Sequence, residues 1–186
     1  MLNTKYIIVN DETNGLFPYL NNESNGNAWF ISSLKEYDSA NEEMLALGET
    51  DTKKEATIRK SIKDKNNYQS IYSIDSLANI SLVEHKPNYL KYKSTNEQKG
   101  FAVFSEIYYG NGWQAYIDGS LADYSNVNYV LRGMEVPKGM HVIEFKFEPQ
   151  VVKTGSKITL ATSIVVVILI ILGLFYQIKL KRHESA

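Results

Sequence analysis

Residues 100–109 read Gly-Phe-Ala-Val-Phe-Ser-Glu-Ile-Tyr-Tyr, and as an extended strand this stretch carries apolar side chains on both faces. A strand that is apolar on both faces is typical of one buried inside a layered structure, whereas a half-exposed strand alternates polar and apolar residues. We therefore predict a central strand here, with the rest of the soluble part folded around it.

Short strand-like segments surround this stretch and are separated by turn residues. Asp118-Gly119 is a strong hairpin signal, Pro137 to Gly139 predicts another turn, and residues 141–147 alternate in strand fashion. This spacing favours a mainly β fold, an antiparallel β-sandwich of the immunoglobulin or jelly-roll kind, over residues 1–150. The other predicted strands are 5–10, 28–32, 56–59, 69–73, 77–84, 89–94, 113–117 and 127–136, with a loop at 11–26 and a solvated turn at 61–67.

One short helix is predicted after the second strand. Ser39 followed by Glu42 forms a capping box, Met44 and Leu45 begin an apolar stripe, and Gly48 ends the helix.

Residues 158–178 form an uncharged apolar run near the end of the chain. Such a run covers about 30 Å as a helix, which matches the hydrocarbon core of a bilayer. We predict a single membrane-spanning helix here, preceded by a juxtamembrane linker at 151–157. Basic residues in the tail at 179–186 place the tail in the cytoplasm and residues 1–150 on the exoplasmic side by the positive-inside rule.

Composition excludes several functional classes. The chain has 20 Lys and Arg against 21 Asp and Glu, so no basic surface for nucleic acid is expected. The absence of cysteine excludes disulfides and thiol catalysis. The isolated histidines lack metal-ligand spacing, and Asp118 is explained by its turn. We therefore predict no catalytic residue, no metal and no cofactor in this chain.

The first residues lack the basic and apolar regions of a secretory signal. Two explanations follow: the domain stays inside the cell, or the chain is the C-terminal piece of a longer protein whose earlier helices direct insertion.

Five residues are candidates for contact with a glycan or an envelope polymer. Glu106 and Arg132 are charged residues in apolar strands, and an ion pair between them is the structural alternative to a polymer contact. Tyr109, Tyr116 and Trp113 offer faces on which sugar rings could stack, although Trp113 shares a strand face with apolar residues and so also suits a core.

Several segments together resemble the C-terminal region of the YfhO family of bacterial membrane proteins. They include residues 104–109, 112–119, 128–132 and 136–141, preceded by residues 2–8 and 28–30 in the same order. The resemblance implies a polytopic protein similar to the large integral-membrane glycosyltransferases that use lipid-linked sugars to modify cell-envelope polymers. In that architecture the catalytic carboxylate lies in an early exoplasmic loop, which this chain does not contain.

The expected role is therefore an accessory exoplasmic domain with the last membrane helix of such a protein. Its expected partners are the bilayer, upstream transmembrane helices, and an envelope polysaccharide or polyprenyl-linked sugar. Two alternatives remain open: a freestanding membrane-anchored glycan-binding or adhesion module, and a purely structural domain.

Overall fold

The computed structural model describes residues 1–11 and 15–184, and the side chains of residues 11, 153 and 175–184 lie outside that description. Two units are distinguished, residues 1–147 and residues 148–186. The elements in chain order are β1 (Tyr6–Asp11), β2 (Gly15–Leu20), β3 (Ala28–Ile31), β4 (Ser33–Tyr37), α1 (Ala40–Ala46), β5 (Glu55–Arg59), α2 (Lys60–Asn66), β6 (Asn79–Lys86), β7 (Tyr89–Asn96), β8 (Gly100–Ile107), β9 (Trp113–Ile117), β10 (Ser120–Ala122), β11 (Ser125–Val127), β12 (Leu131–Val136), β13 (Gly139–Phe147) and α3 (Gln150–Glu184).

Two antiparallel sheets form the centre of the first unit. The larger has the strand order β10-β9-β13-β7-β6, and the smaller has the order β11-β12-β8-β3. Their facing sides meet in an apolar core that includes Tyr92, Phe104 and Phe145, whose rings pack edge to face. The predicted mainly β fold with packed antiparallel sheets is confirmed.

Strand β8 is central, as its sequence predicts. It pairs with β12 on one side and β3 on the other, and residues 100–104 are buried. Phe104 enters the core between the sheets, while Phe101 and Val103 enter a second core on the opposite face of the smaller sheet. The apolar character of both faces of this strand is thus explained by two separate cores.

The second core is covered by a β-α-β segment that the sequence analysis did not predict. Strands β4 and β5 pair in parallel, and α1 connects them. Leu34 and Ile58 from this pair pack with Tyr68 and Tyr72 against the smaller sheet. The fold therefore departs from a purely antiparallel sandwich, because a parallel pair needs a crossover and α1 supplies it.

The capping box of α1 is present in the structure. The Glu42 backbone N–H donates to Ser39 Oγ at 3.2 Å, and Asp38 N–H donates to the Glu42 carboxylate at 3.2 Å. The helix ends at Ala46, close to the predicted Gly48.

Three local predictions are wrong. Residues 61–67 were predicted as a turn, but most of them belong to helix α2, and the residue after the helix, Asn67, is a C-cap in the left-handed conformation. That helix has no buried residue and hence no clear apolar stripe. The predicted loop at 11–26 contains β2, and the predicted strand at 69–73 is an irregular segment with one bridge at Ile71. Residues 12–14 of that predicted loop lie outside the described residues.

The predicted turn at Asp118-Gly119 is confirmed. Both residues have positive φ, 50° and 82°, as a type I′ hairpin turn requires. Asp118 also accepts hydrogen bonds from the Val142 N–H at 2.8 Å and lies 2.6 Å from His141 Nδ1. Its carboxylate thus ties the β9–β10 turn to β13.

Hairpin β1–β2 exposes apolar side chains on both of its faces. Ile8 and Leu16 are 73% and 74% exposed, and Ile7 and Tyr19 on the other face are also exposed. A two-stranded hairpin of this kind is marginally stable in water by itself.

The second unit consists chiefly of α3. Its part over Gln150–Leu174 is long and apolar enough to cross a membrane. The predicted linker at 151–157 is helical, and the helix continues through residue 184 of the predicted tail. Residues 185–186 of that tail lie outside the described residues.

We expect Gly133→Ala to destabilise the first unit by about 1–3 kcal/mol, because a methyl group there overpacks the second core. An added Cβ would lie 2.6 Å from Cε1 of Phe101 and 2.8 Å from Cγ2 of Val127. Chemical denaturation followed by circular dichroism measures the change. The control is Gly48→Ala, whose Cβ would meet only a carbonyl oxygen at 3.6 Å. Equal stability losses in the two variants would contradict the packing explanation.

Candidate functional site

Arg132 lies inside the end of the sandwich. It is 3% exposed, its Nε donates to the Ile107 carbonyl at 3.0 Å, and its guanidinium lies 4.3 Å from the centre of the Trp113 ring and 5.1 Å from that of Phe145. These contacts are cation–π interactions in a desolvated place, where they are strongest. Little of the guanidinium is therefore accessible to a polymer.

Glu106 influences Arg132 without contacting it as an ion pair. Within the part of the chain that the structure describes, no carboxylate lies within ion-pair distance of the Arg132 guanidinium. Burial lowers the pKa of Arg132, and the nearby Glu106 charge partly opposes that effect. Arg132 thus contacts aromatic rings and a backbone carbonyl directly, and the Glu106 charge favours its charged form without an ion pair.

The remaining predicted contact residues do not converge on one place. Trp113 is half-buried and packs on the core between the sheets. Tyr116 points to the opposite, outer face of the larger sheet, where the Lys146 ammonium lies 4.8 Å from its ring centre. Tyr109 follows β8 and is 52% exposed. Of the five predicted residues, Tyr109 presents the most accessible ring.

A polar groove of about 360 Å³ opens in the first unit between α2 and β11. That volume lies within the range of small-molecule sites. Two cationic side chains, one carboxylate, two amides and two tyrosine rings line it. These residues are Arg59, Lys65, Asp123, Asn66, Asn126, Tyr108 and Tyr124.

The aromatic wall of the groove is fixed by its own contacts. The rings of Tyr108 and Tyr124 lie 5.3 Å apart and are tilted by 53°. The Tyr124 hydroxyl donates to the carbonyls of Trp113 at 3.1 Å and Tyr109 at 3.2 Å. Burial raises the pKa of Tyr124, so this hydroxyl remains a donor at neutral pH. The Tyr124 ring is thus held rigidly at the groove.

Arg59 is positioned from behind by a buried carboxylate. Its Nε lies 3.5 Å from Oε2 of Glu43, which is fully buried on α1. Its Nη2 donates to Oδ1 of Asn126 at 3.4 Å. The side chain of Arg59 is 37% exposed, so the guanidinium is anchored on one side and open on the other.

Glu43 connects three elements of the fold. Its Oε1 accepts the Tyr129 N–H at 2.9 Å and lies 3.5 Å from the Thr57 hydroxyl. Thr57 N–H in turn donates to the Asn128 side chain at 2.8 Å. Asn128 and Tyr129 both have positive φ, 47° and 65°. The carboxylate therefore satisfies the backbone of an unusual turn between β11 and β12.

No local pattern in the sequence indicates this site. Arg59 ends a predicted strand, while Lys65 and Asn66 lie in a predicted turn, and nothing in the local pattern links them to Asp123 or Tyr124. Glu43 is an acidic residue in a short helix, which usually faces solvent. These groove residues come from β5, α2 and the segment before β11, and only the tertiary fold brings them together.

A family model described as "Bacterial membrane protein YfhO" matches residues 8–159 of the chain. The match begins in β1, includes both sheets and the groove, and extends into α3. No curated protein and no solved structure matches the chain.

The pH dependence of stability tests the burial of Glu43. Burial raises its pKa, so the folded protein holds this proton to a higher pH than the unfolded chain does. The stability of the natural protein relative to Glu43→Gln is therefore greatest below the ordinary carboxyl pKa and declines as pH rises through the raised pKa. The free energy of unfolding declines by about 1.4 kcal/mol for each pKa unit by which the folded protein's value exceeds that of the unfolded chain. Chemical denaturation between about pH 4 and pH 8 measures it.

The matched control is Glu49→Gln, which removes an exposed carboxylate just after α1. The effect of burial would be contradicted if the natural protein became more stable relative to Glu43→Gln as pH rises.

Proposed function

Because this chain belongs to the YfhO family of bacterial membrane proteins, we propose that it is the C-terminal accessory domain and last membrane helix of a polytopic glycosyltransferase. That enzyme transfers sugars from lipid-linked donors to cell-envelope polymers. The β domain guides the acceptor, and the chemistry occurs in the transmembrane part of the protein.

The continuous family match carries this proposal. It covers the two sheets and the start of the apolar helix in one continuous segment, so the domain and the beginning of the helix match the same family model. The polar groove supports a role in guiding an acceptor, because amides, carboxylates and aromatic faces are the groups that bind sugar hydroxyls and rings.

The proposal places the β domain on the exoplasmic side and the tail in the cytoplasm. Lys179, Lys181 and Arg182 follow the apolar run, against Lys153 and Lys157 before it. The excess of basic residues that follows the apolar run favours this orientation. A domain that meets extracellular polymers requires it.

The exposed hairpin β1–β2 favours a second, structural role. Apolar side chains on both faces are expensive to leave in water and suit a covered surface. In this role the domain clamps neighbouring transmembrane helices of the same protein. Both roles can coexist, because the hairpin and the groove share no residue.

Labelling with a membrane-impermeant maleimide tests the orientation, and the natural absence of cysteine makes the experiment clean. We expect Ser120→Cys, an exposed position in the domain, to react in intact protoplasts. Ser185→Cys should react only after permeabilisation. The unsubstituted chain, which has no cysteine among its 186 residues, is the control, and the reverse labelling pattern would contradict the proposed orientation.

Deletion of the gene that encodes this chain tests the function. We expect the sugar content of the anionic envelope polymers, measured by mass spectrometry, to fall and to recover when the intact gene is returned. A chain truncated after Phe147 should be soluble and folded, because both apolar cores lie within residues 1–147, but it should transfer no sugar. Unchanged polymer glycosylation after deletion would overturn the proposal, and so would sugar transfer by the truncated chain.

A further inference from the structure

We infer that the groove between α2 and β11 is a binding site for a hydroxylated phosphate ester, such as a sugar phosphate or a polyol phosphate unit. This deepens the proposed function, on which it rests only for the identity of the larger molecule that carries the unit. The binding itself follows from the residues of the groove.

Two charged side chains of the groove have no partner among the described residues. Among residues 1–11 and 15–184, no ion pair or hydrogen bond engages the Lys65 ammonium or the Asp123 carboxylate. Both are exposed and line the same groove. Lys63, on the same helix, contrasts with them because it is paired with Glu36 at 2.7 Å. Lys65 and Asp123 are therefore available to a ligand.

The guanidinium of Arg59 adds a pre-oriented anion-binding group. The Glu43 carboxylate lies 3.5 Å from its Nε, and Asn126 accepts a hydrogen bond from its Nη2 at 3.4 Å, so the guanidinium is oriented before any ligand arrives. A planar guanidinium suits the oxygens of a phosphate, and pre-orientation reduces the entropy lost on binding. Together with Lys65 it forms a cationic side of the groove.

The other side chains of the groove suit a ligand that carries hydroxyl groups and a carbon skeleton in addition to a negative charge. Asp123 repels a phosphate but accepts hydrogen bonds from hydroxyl groups, and Asn66, whose Nδ2 donates to the Ile62 carbonyl at 2.8 Å, lines the same groove with an amide oxygen that also accepts. The rings of Tyr108 and Tyr124 form an apolar wall suited to the carbon skeleton of a sugar or polyol. A ligand with both a phosphate and hydroxyl groups matches the cationic, acidic and aromatic side chains of this lining.

The experiment uses the full chain, isotope-labelled, in zwitterionic detergent micelles, with glycerol phosphate as the probe. We expect saturable NMR shifts of the amides of Lys65 and Asn126, and about tenfold weaker binding of glycerol, which lacks the charge. Lys65→Gln should weaken the binding of glycerol phosphate about fivefold, because an exposed ion pair is worth about 1 kcal/mol.

The matched control is Lys60→Gln, which removes the same charge from the same helix at a position outside the groove. A second variant, Asp123→Asn, should reduce the preference for glycerol phosphate over inorganic phosphate, because the hydroxyl acceptor is weakened. Equal effects of Lys60→Gln and Lys65→Gln would overturn the site, and so would shifts that spread away from the groove.

Nanodiscs distinguish the sources of the phosphate ester. If phosphatidylglycerol in the discs shifts the same amides, a lipid headgroup supplies the ligand; if only soluble glycerol phosphate shifts them, a polymer unit does. Both results support the site, and no shift in either arm overturns it. If glycerol phosphate does not bind but deletion of the gene still lowers polymer glycosylation, the proposed groove site is wrong and the proposed function stands. If glycerol phosphate binds but deletion of the gene does not change polymer glycosylation, the proposed function is wrong and the groove site stands.

Discussion

The burial of strand β8 on both faces is the constraint on which the rest of the domain depends. Phe104 on one face and Phe101 on the other each need a separate apolar layer. The five-stranded sheet supplies one layer, and the β4–α1–β5 crossover with Tyr68 and Tyr72 supplies the other. A single sandwich would leave one of these faces in water, at a cost of about 25 cal/mol for each Å² of apolar surface.

The crossover that covers the second core also contributes Arg59 to the groove. Because α1 must pack against β5, it places Glu43 under the turn between β11 and β12, where the carboxylate accepts the Tyr129 N–H. A buried carboxylate is costly unless it is paired and hydrogen-bonded. The partner that it finds is Arg59, whose guanidinium then lies at the edge of the groove. The need to pair the buried Glu43 carboxylate thus also positions the Arg59 guanidinium at the groove.

Arg132 and Arg59 show why a charged residue in a strand cannot be assigned from sequence. Both follow apolar residues, and both approach a buried region. Arg132 stacks on Trp113 inside the sandwich and is 3% exposed, whereas Arg59 is held at a surface groove and is 37% exposed. The two side chains differ in exposure because they lie on different faces of different sheets. The residues next to Arg132 in the sequence do not reveal which face it lies on.

The sequence by itself determined the features that depend on local periodicity and on single-residue conformations. These are the apolar span in α3, the doubly buried β8, the turn at Asp118-Gly119 and the capping box of α1. The tertiary structure alone decided the parallel pairing of β4 with β5, the place of α2, and the meeting of Arg59, Lys65 and Asp123. The pattern of polar and apolar residues in one segment indicates which of its side chains are buried and which face water. The groove depends instead on contacts between segments that lie far apart in the chain, and no local pattern encodes which distant segment covers a given face.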